Sequence, residues 1–303
     1  MLKDRLSPLL RPAPQYSAVA IAPPQGAVAV HLSWPGGCQD VTADHTIASL
    51  RPLTIALGVD AGPVATLDFS DGRGHLGSLG LTNSGSLAAA GLPIWLYRVA
   101  NGSHRCLPWA WRIWNLWLQD RAARSAGAEH NFRLEPAALQ QLMVCYICPR
   151  PVALVSVAVA GHFNMFPMDL IGSVGPHVTL ALRSTNISIP VLREAGRAAL
   201  ASLPAEMKRA AYDLGRHHQQ PLGDPAALPF ATRPSPTAAI PMAAAALHAR
   251  EVVIRHAEDI GSHAFLVADI LFDGPVVPGR QLHHVSGIYQ AHRRLRGAAF
   301  PQA

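Results

Sequence analysis

Histidine and cysteine are the side chains here best able to hold a metal, move a proton or exchange electrons, so their spacing comes first. Cys145 and Cys148 form one C-x-x-C pair, two thiolates where a structural zinc takes four ligands, and Cys38 and Cys106 supply no second pair at a useful spacing. The pair reads as two small buried hydrophobes at the end of a helix. A redox pair is the sharper alternative, separable by counting free thiols with and without reductant. His217 and His218 are adjacent, so they leave the chain on different sides and read as part of a solvated loop. For His263, His283 and His284 the plain reading is an imidazole hydrogen-bonded to a neighbouring carbonyl. No metal site is expected. The glycine-rich run 71–80 (DGRGHLGSLG) lacks the strand-to-helix frame and downstream acid of a dinucleotide fingerprint, and reads as a loop.

The elements that would position these groups follow from apolar periodicity and from Gly, Pro and Asp punctuation. Residues 27–34, 52–60, 63–71 and 94–100 read as short strands of a small, mostly-β unit. Residues 108–124 read as a helix opened by Pro108, with Trp111, Trp114 and Trp117 on a stripe expected to pack in the core. The polar, small-residue segment 124–131 reads as a linker, which places a domain boundary at 133: an N-terminal mostly-β domain (1–133) and a second domain (134–303). The second opens with a helix over 135–147 that must stop before Pro149. Strands at 151–160 and 178–183 follow, with a turn at 161–164 between them. A helix is expected from Ser188 to about Leu203, then another over 204–215, and finally a strand pair, 251–256 and 263–272, across Gly261. Strands and helices do not alternate regularly, so a mainly β barrel with α insertions fits better than a doubly wound parallel sheet.

Composition removes several classes of function. The chain has 303 residues, is 50% hydrophobic and 15% charged, and carries 24 Gly and 26 Pro, which excludes disorder and favours many turns over long helices. Its net charge of +6 is spread over both halves and comes almost entirely from arginine, since only Lys3 and Lys208 are lysines. The one dense basic cluster, His292, Arg293, Arg294 and Arg296, has no interleaved aromatics, so nucleic-acid binding is not expected. The longest apolar window, 143–161, carries Arg150 between two prolines, which opposes a membrane span. The first fifteen residues place charges and prolines where a secretory signal needs an apolar run, so a cytoplasmic protein is expected.

One stretch carries a resemblance. The segment 148–157 (CPRPVALVSV), the run Gly161-His162-Phe163-Asn164-Met165-Phe166-Pro167, the strand 178–183 (VTLALR) and the helix start 188–196 (SIPVLREAG) resemble, in this order and spacing, the flavin reductase-like family of FMN-binding split barrels. Segments 261–271 and 283–290 are similar to that family's closing strands, so the resemblance covers about residues 140–292. It implies a split β-barrel whose strand after Pro-Arg-Pro and Asn-x-x-Pro turn place Val155, Ser156, Val157, Asn164, Phe166 and Pro167 along a flavin. It also implies a phosphate site at the turn into the next helix, here Ser184, Thr185, Asn186 and Ser188, where unpaired N–H groups attract an anion. Many family members carry Lys-Asp-Thr there. This chain has Asn186-Ile187-Ser188, which keeps the hydroxyl and loses a charge-assisted bond worth about 1.5–3 kcal/mol unless Arg183 or Arg193 replaces the cation. Asp169 stands where a serine is common, a carboxylate that needs a partner near a phosphate or a reduced flavin.

With such a cofactor the reaction is hydride transfer, and the protein supplies orientation and water exclusion. The expected function is a flavin-binding oxidoreductase with FMN as cofactor (FAD as the alternative) and NAD(P)H as co-substrate, reducing free flavin or a small molecule through bound flavin. His263, His283, His284 and Tyr289 are the candidates for the nicotinamide or substrate side. The resemblance further implies a homodimer, because such barrels commonly bury flavin between subunits. The alternative from another class is a non-catalytic flavin-binding carrier or sensor whose N-terminal domain engages a partner.

Overall fold

The computed structural model describes residues 12–22, 28–89, 91–125, 134–159 and 161–303; the expected linker and the boundary at 133 fall almost wholly outside these. Turn-bounded apolar runs give β1 (Tyr16–Ile21), β2 (Ala29–Trp34), β3 (Gly37–Asp40), β4 (His45–Leu50), β5 (Leu53–Leu57), β6 (Val64–Asp71), β7 (Gly74–Ala89) and β8 (Leu92–His104), followed by helices α1 (Trp109–Ser125) and α2 (Pro136–Cys145). The remainder runs β9 (Arg150–Pro151), β10 (Ala153–Val159), β11 (His162–Met168), β12 (Ile171–Val174), β13 (His177–Arg183), α3 (Ser188–Ala195) and β14 (Arg197–Ser202). It closes with α4 (Lys208–Asp213), β15 (Thr232–Pro234), β16 (Pro241–Ala243), β17 (His248–Ile260), β18 (His263–Asp273), β19 (Gln281–Ser286) and α5 (Gly287–Leu295). The fold is mainly β with helical insertions and includes a sheet curled into a half-barrel.

Two seven-stranded sheets, antiparallel throughout, dominate: β3-β2-β6-β7-β8-β5-β4 and β11-β10-β14-β17-β18-β13-β12. A third sheet, β1-β19-β9, joins the earliest described strand to the last. One apolar core runs from Leu32, Ile55, Leu67 and Phe69 of the first sheet, past Leu142 and Val144 of α2, to Val155, Val157, Phe166 and Phe265 of the second. A smaller core on the opposite face of β10 takes Leu154 with Met165 and Ala199. Alternate residues of β10 therefore enter different cores, which is why this strand is an unbroken apolar run and not an alternating one.

Four expectations need correction. The helix from Ser188 ends at Ala195, because Gly196 at φ +61° supplies a left-handed C-cap, and the small apolar residues 197–202 become β14 between β10 and β17. Residues 161–164 are not one turn: Asn164 through Pro167 lie inside β11, paired with β10. The glycine-rich stretch expected as a loop is largely the start of the sixteen-residue β7, held between β6 and β8. The tryptophan stripe is split: Trp111 is half-buried and packs against the core as expected, whereas Trp114 and Trp117 are exposed and stacked on each other. The inward side of α1 also carries Asn115 and Gln119, whose amides bond the Ala13 N–H and carbonyl. Among the described residues, no helix is long and apolar enough to cross a membrane.

At the seam between the large sheets, the β17–β18 turn meets the β4–β5 turn. Ser262 N–H donates to the Arg51 carbonyl at 2.8 Å, and Gly261, at φ +54°, lies so close to that carbonyl that no Cβ fits.

Candidate functional site

A cavity of about 480 Å³ opens where the second sheet, the β1-β19-β9 sheet and the α4 region converge. Leu50 from the end of β4, with Met168, Leu170, Ala181 and Leu182, gives it an apolar wall. Arg183 at the end of β13, Thr185, Asn186, Arg216 and Gln219 make one polar, cationic end. Tyr16 on β1, Tyr146 after α2, Tyr212 on α4 and His284 on β19 make an aromatic corner around Asp169, which lies in the turn between β11 and β12. This size and mixture suit a small organic ligand bearing an anionic group.

Asp169 is the electrostatic centre of that corner. Its Oδ2 accepts from the Tyr146 hydroxyl at 2.8 Å and from His284 Nδ1 at 2.6 Å. Burial pushes its carboxyl up, but His284, the Tyr146 hydroxyl and Arg150 together outweigh burial and hold it below the ordinary value. The carboxylate that the sequence left in need of a partner therefore has two. His284 Nε2 lies 2.7 Å from the Tyr212 hydroxyl, and Tyr16 stacks on the imidazole with ring centroids 4.1 Å apart. Burial raises the Tyr16, Tyr146 and Tyr212 phenols, with Asp169 adding to each, so all three stay protonated at neutral pH.

His263 is a second constructed feature. It is 1% exposed, and its Nδ1 accepts from Leu50 N–H at 3.4 Å and lies 2.9 Å from Ser262 Oγ. Burial, with Arg183 nearby, lowers its pKa to about 4, so the ring is neutral and its proton sits on Nε2. That Nε2 is buried without a hydrogen-bond partner, at the lining of the cavity.

Of the residues proposed from the sequence, the cavity brings together Pro167, Thr185, Asn186, His263 and His284. Val155, Ser156 and Val157 are fully buried inside β10, and Phe166 is buried with its ring 4.9 Å from His218. Asn164 is a buried tie: its amide donates to Ser188 Oγ at 2.7 Å and to the His217 carbonyl at 2.8 Å. Asn186 accepts from Ser188 N–H at 2.9 Å and donates to His218 Nδ1 at 2.8 Å, so the α3 start is capped from within the chain. Ser184 is exposed and bonds the Ser262 carbonyl. Tyr289 stands apart from the cavity, fully buried beside Phe300 and Arg293, and His283 bonds the Gln281 carbonyl.

Sequence reasoning missed Tyr16, Tyr146, Tyr212, Arg216 and His218 as cavity residues, because no local spacing links them. The solvated-loop reading of 217–218 is corrected: His217 is buried, and His218 donates to the Pro167 carbonyl at 3.0 Å with its pKa lowered by burial. Cys145 is buried and its thiol pushed up to about 12; burial raises Cys148 too, so both are poor nucleophiles in this state. Among the described residues, no group of three potential metal ligands gathers.

No protein-family model matches the sequence, and no curated protein matches it. Solved structures do. The chain is similar to the NADH:FAD oxidoreductase of Streptomyces globisporus (19% identity, 49% of this chain and 89% of that chain, TM-score 0.43). It is also similar to the flavin reductase component of a bacterial two-component tryptophan halogenase (19%, 48% and 91%, TM-score 0.43). A third is the FMN-binding protein of Thermus thermophilus with bound p-hydroxybenzaldehyde (18%, 46% and 83%, TM-score 0.40). The solved structures similar to this chain are thus flavin reductases and FMN-binding proteins, the kind of protein its sequence resembles over residues 140–292.

Proposed function

We propose that this chain is a flavin-binding oxidoreductase that takes hydride from NAD(P)H and reduces FMN or FAD, or a small molecule through the bound flavin. The observation that carries this reading is the unpartnered, buried His263 Nε2 in a cavity with an arginine-bearing end and an apolar wall. A flat tricyclic ring with an anionic tail suits those features. Arg183, Arg216 and Thr185 would hold the tail, replacing the lysine absent from the α3 start. His263 would donate one hydrogen bond to the ring system, and Leu50, Met168, Leu170 and Leu182 would exclude water from it. When bound there, flavin supplies the two-electron hydride chemistry.

In the same proposal residues 1–133 and 134–303 are two parts, the first walling the cavity through Tyr16 and Leu50. The active form is a cytoplasmic homodimer. Purified protein given FMN or FAD is expected to take up yellow colour that anaerobic NADH or NADPH bleaches. Retained colour with no nicotinamide consumption would assign the non-catalytic carrier instead, and a preparation that stays colourless would end the proposal.

A further inference from the structure

We propose that Tyr212 is the proton donor for reduction of a bound carbonyl compound or carbonyl-activated alkene, recharged through His284, whose tautomer Asp169 and Tyr146 fix. This rests on the preceding reading, in that bound flavin is the source of the hydride.

The geometry is a single file. Asp169 is ionised and can only accept, so the 2.6 Å contact puts a proton on His284 Nδ1. Nε2 then faces the Tyr212 hydroxyl at 2.7 Å in one of two ways. With a neutral imidazole, Nε2 is an acceptor and the phenol proton is committed to it. With an imidazolium, Nε2–H donates to the phenol oxygen, and the phenol proton is released to point elsewhere. Tyr212 lines the cavity and is 41% exposed, so that direction includes the cavity. Tyr16 stacks on the imidazole, and Tyr146, over whose ring Arg150 lies at 5.6 Å, shares the Asp169 carboxylate with His284 Nδ1. Of the three groups in the file, the phenol is the most exposed: Tyr212 at 41%, against 18% and 8% for the Asp169 and His284 side chains.

Such a file has no task in passing hydride from a nicotinamide to a flavin, which needs orientation but no side-chain acid. It has a task when hydride reaches a polarised carbon. Addition to a carbonyl carbon, or to the far carbon of a conjugated enone, moves a π pair onto oxygen and leaves an alkoxide or enolate. Tyr212 transfers its proton to that anion, forming the O–H or C–H bond, and the phenolate takes the Nε2 proton of His284. The imidazolium becomes imidazole and is reprotonated from water through the phenol. The two electrons originate in NAD(P)H, and the net reaction consumes one NAD(P)H and one proton per substrate. The reaction class is thus reduction of a bound unsaturated carbonyl compound, beyond release of reduced flavin.

The test uses the whole protein supplied with FMN, NADPH or NADH, and a panel of cyclic enones and aromatic aldehydes. The unsubstituted protein is expected to reduce at least one of them with a solvent isotope effect of about 2 or more. Tyr212→Phe keeps the ring and loses the proton, so turnover on that acceptor should fall about 10²–10⁴-fold with its KM changed far less. A readout independent of flavin and of turnover is the imidazole nitrogen NMR spectrum of the cofactor-free protein. His284 should carry its neutral-form proton on Nδ1, and Asp169→Asn should shift it toward Nε2. Flavin uptake without reduction of any carbonyl acceptor, undiminished turnover in Tyr212→Phe, or an Nε2-protonated neutral His284 in the unsubstituted protein each overturns the inference while leaving the flavin reading intact. Failure to bind flavin removes that reading and this inference with it.

Discussion

The two large sheets have seven antiparallel strands each and draw on one shared core, yet the cavity opens at one of them. In the first, β6, β7 and β8 form a meander, and four of the six neighbouring pairs are consecutive in sequence, β2–β6 and β5–β8 being the other two. In the second, β14 pairs with both β10 and β17, and β13 pairs with β18. This long-range order brings Asp169, Arg183 and His263 to one end, where the separate β1-β19 pair adds Tyr16 and His284. Turn-bounded apolar runs build either sheet; the cavity opens where strands distant in sequence end together. The first sheet then acts as a wall, contributing Leu50 and the Arg51 carbonyl at the seam.

The seam is where that contrast can be broken most forcefully. Gly261→Ala puts a side chain in the left-handed region, which costs about 1–2 kcal/mol by itself. It also drives a methyl into the Arg51 backbone, which cannot swing aside like a side chain. The expected loss is at least about 4 kcal/mol, read as a lower urea midpoint. An unchanged midpoint would mean the sheets are not locked at this turn and Leu50 is not a fixed wall.

Acid should strike both sheets alike, which sharpens the comparison from the other side. His45 and His104 in the first sheet and His263 in the second are each lowered to about 4, chiefly by burial, with Arg150, Arg112 and Arg183 respectively adding to the effect. Unfolded, these rings bind a proton below about pH 6.5. The unfolded state therefore holds more protons between pH 6.5 and 4, and stability is complete above that window and falls as pH drops through it. The upper limit is about 3 kcal/mol per ring. Urea midpoints from pH 7 to 4 should show the decline, and His45→Gln should flatten part of it without touching the cavity. If only His263→Gln flattened the profile, the first sheet would be less rigidly buried than its core implies.

How much of this could be read from sequence differs between the sheets for a physical reason. The β17–β18 hairpin and β10 were legible because apolar runs bounded by Gly261 or by prolines fix a strand without help from elsewhere. β7 was not, since glycines at its start carry low strand propensity and only pairing with β6 and β8 on both sides makes it a strand. At the site, His263 and His284 stand out because they fall in segments that approach the flavin in the resembled family, and Asp169 because a carboxylate stands where a serine is common there. Tyr16, Tyr146 and Tyr212 come from three elements and meet only through the pairing of β1 with β19 and the docking of α4. Asn164 is singled out by the Asn-x-x-Pro run, but its bond to Ser188 depends on the start of α3 and that to the His217 carbonyl on a 3-10 turn more than fifty residues away.

The smallest effects test which arginine takes the place of the absent lysine. Arg183 lines the cavity, whereas Arg193 pairs with Asp259 at 2.8 Å on an exposed surface. Removing an exposed pair costs about 0–1 kcal/mol, so Arg193→Ala should leave both the urea midpoint and the flavin dissociation constant nearly unchanged. Arg183→Gln removes a charge-assisted bond to the ligand's anionic group and should weaken FMN binding by about one to two decades, read by fluorescence titration. Riboflavin, which lacks the phosphate, should bind both variants and the unsubstituted protein equally. Loss of riboflavin affinity in Arg183→Gln would instead put this arginine beside the ring, and a loss of FMN affinity in Arg193→Ala would return the anion to the start of α3.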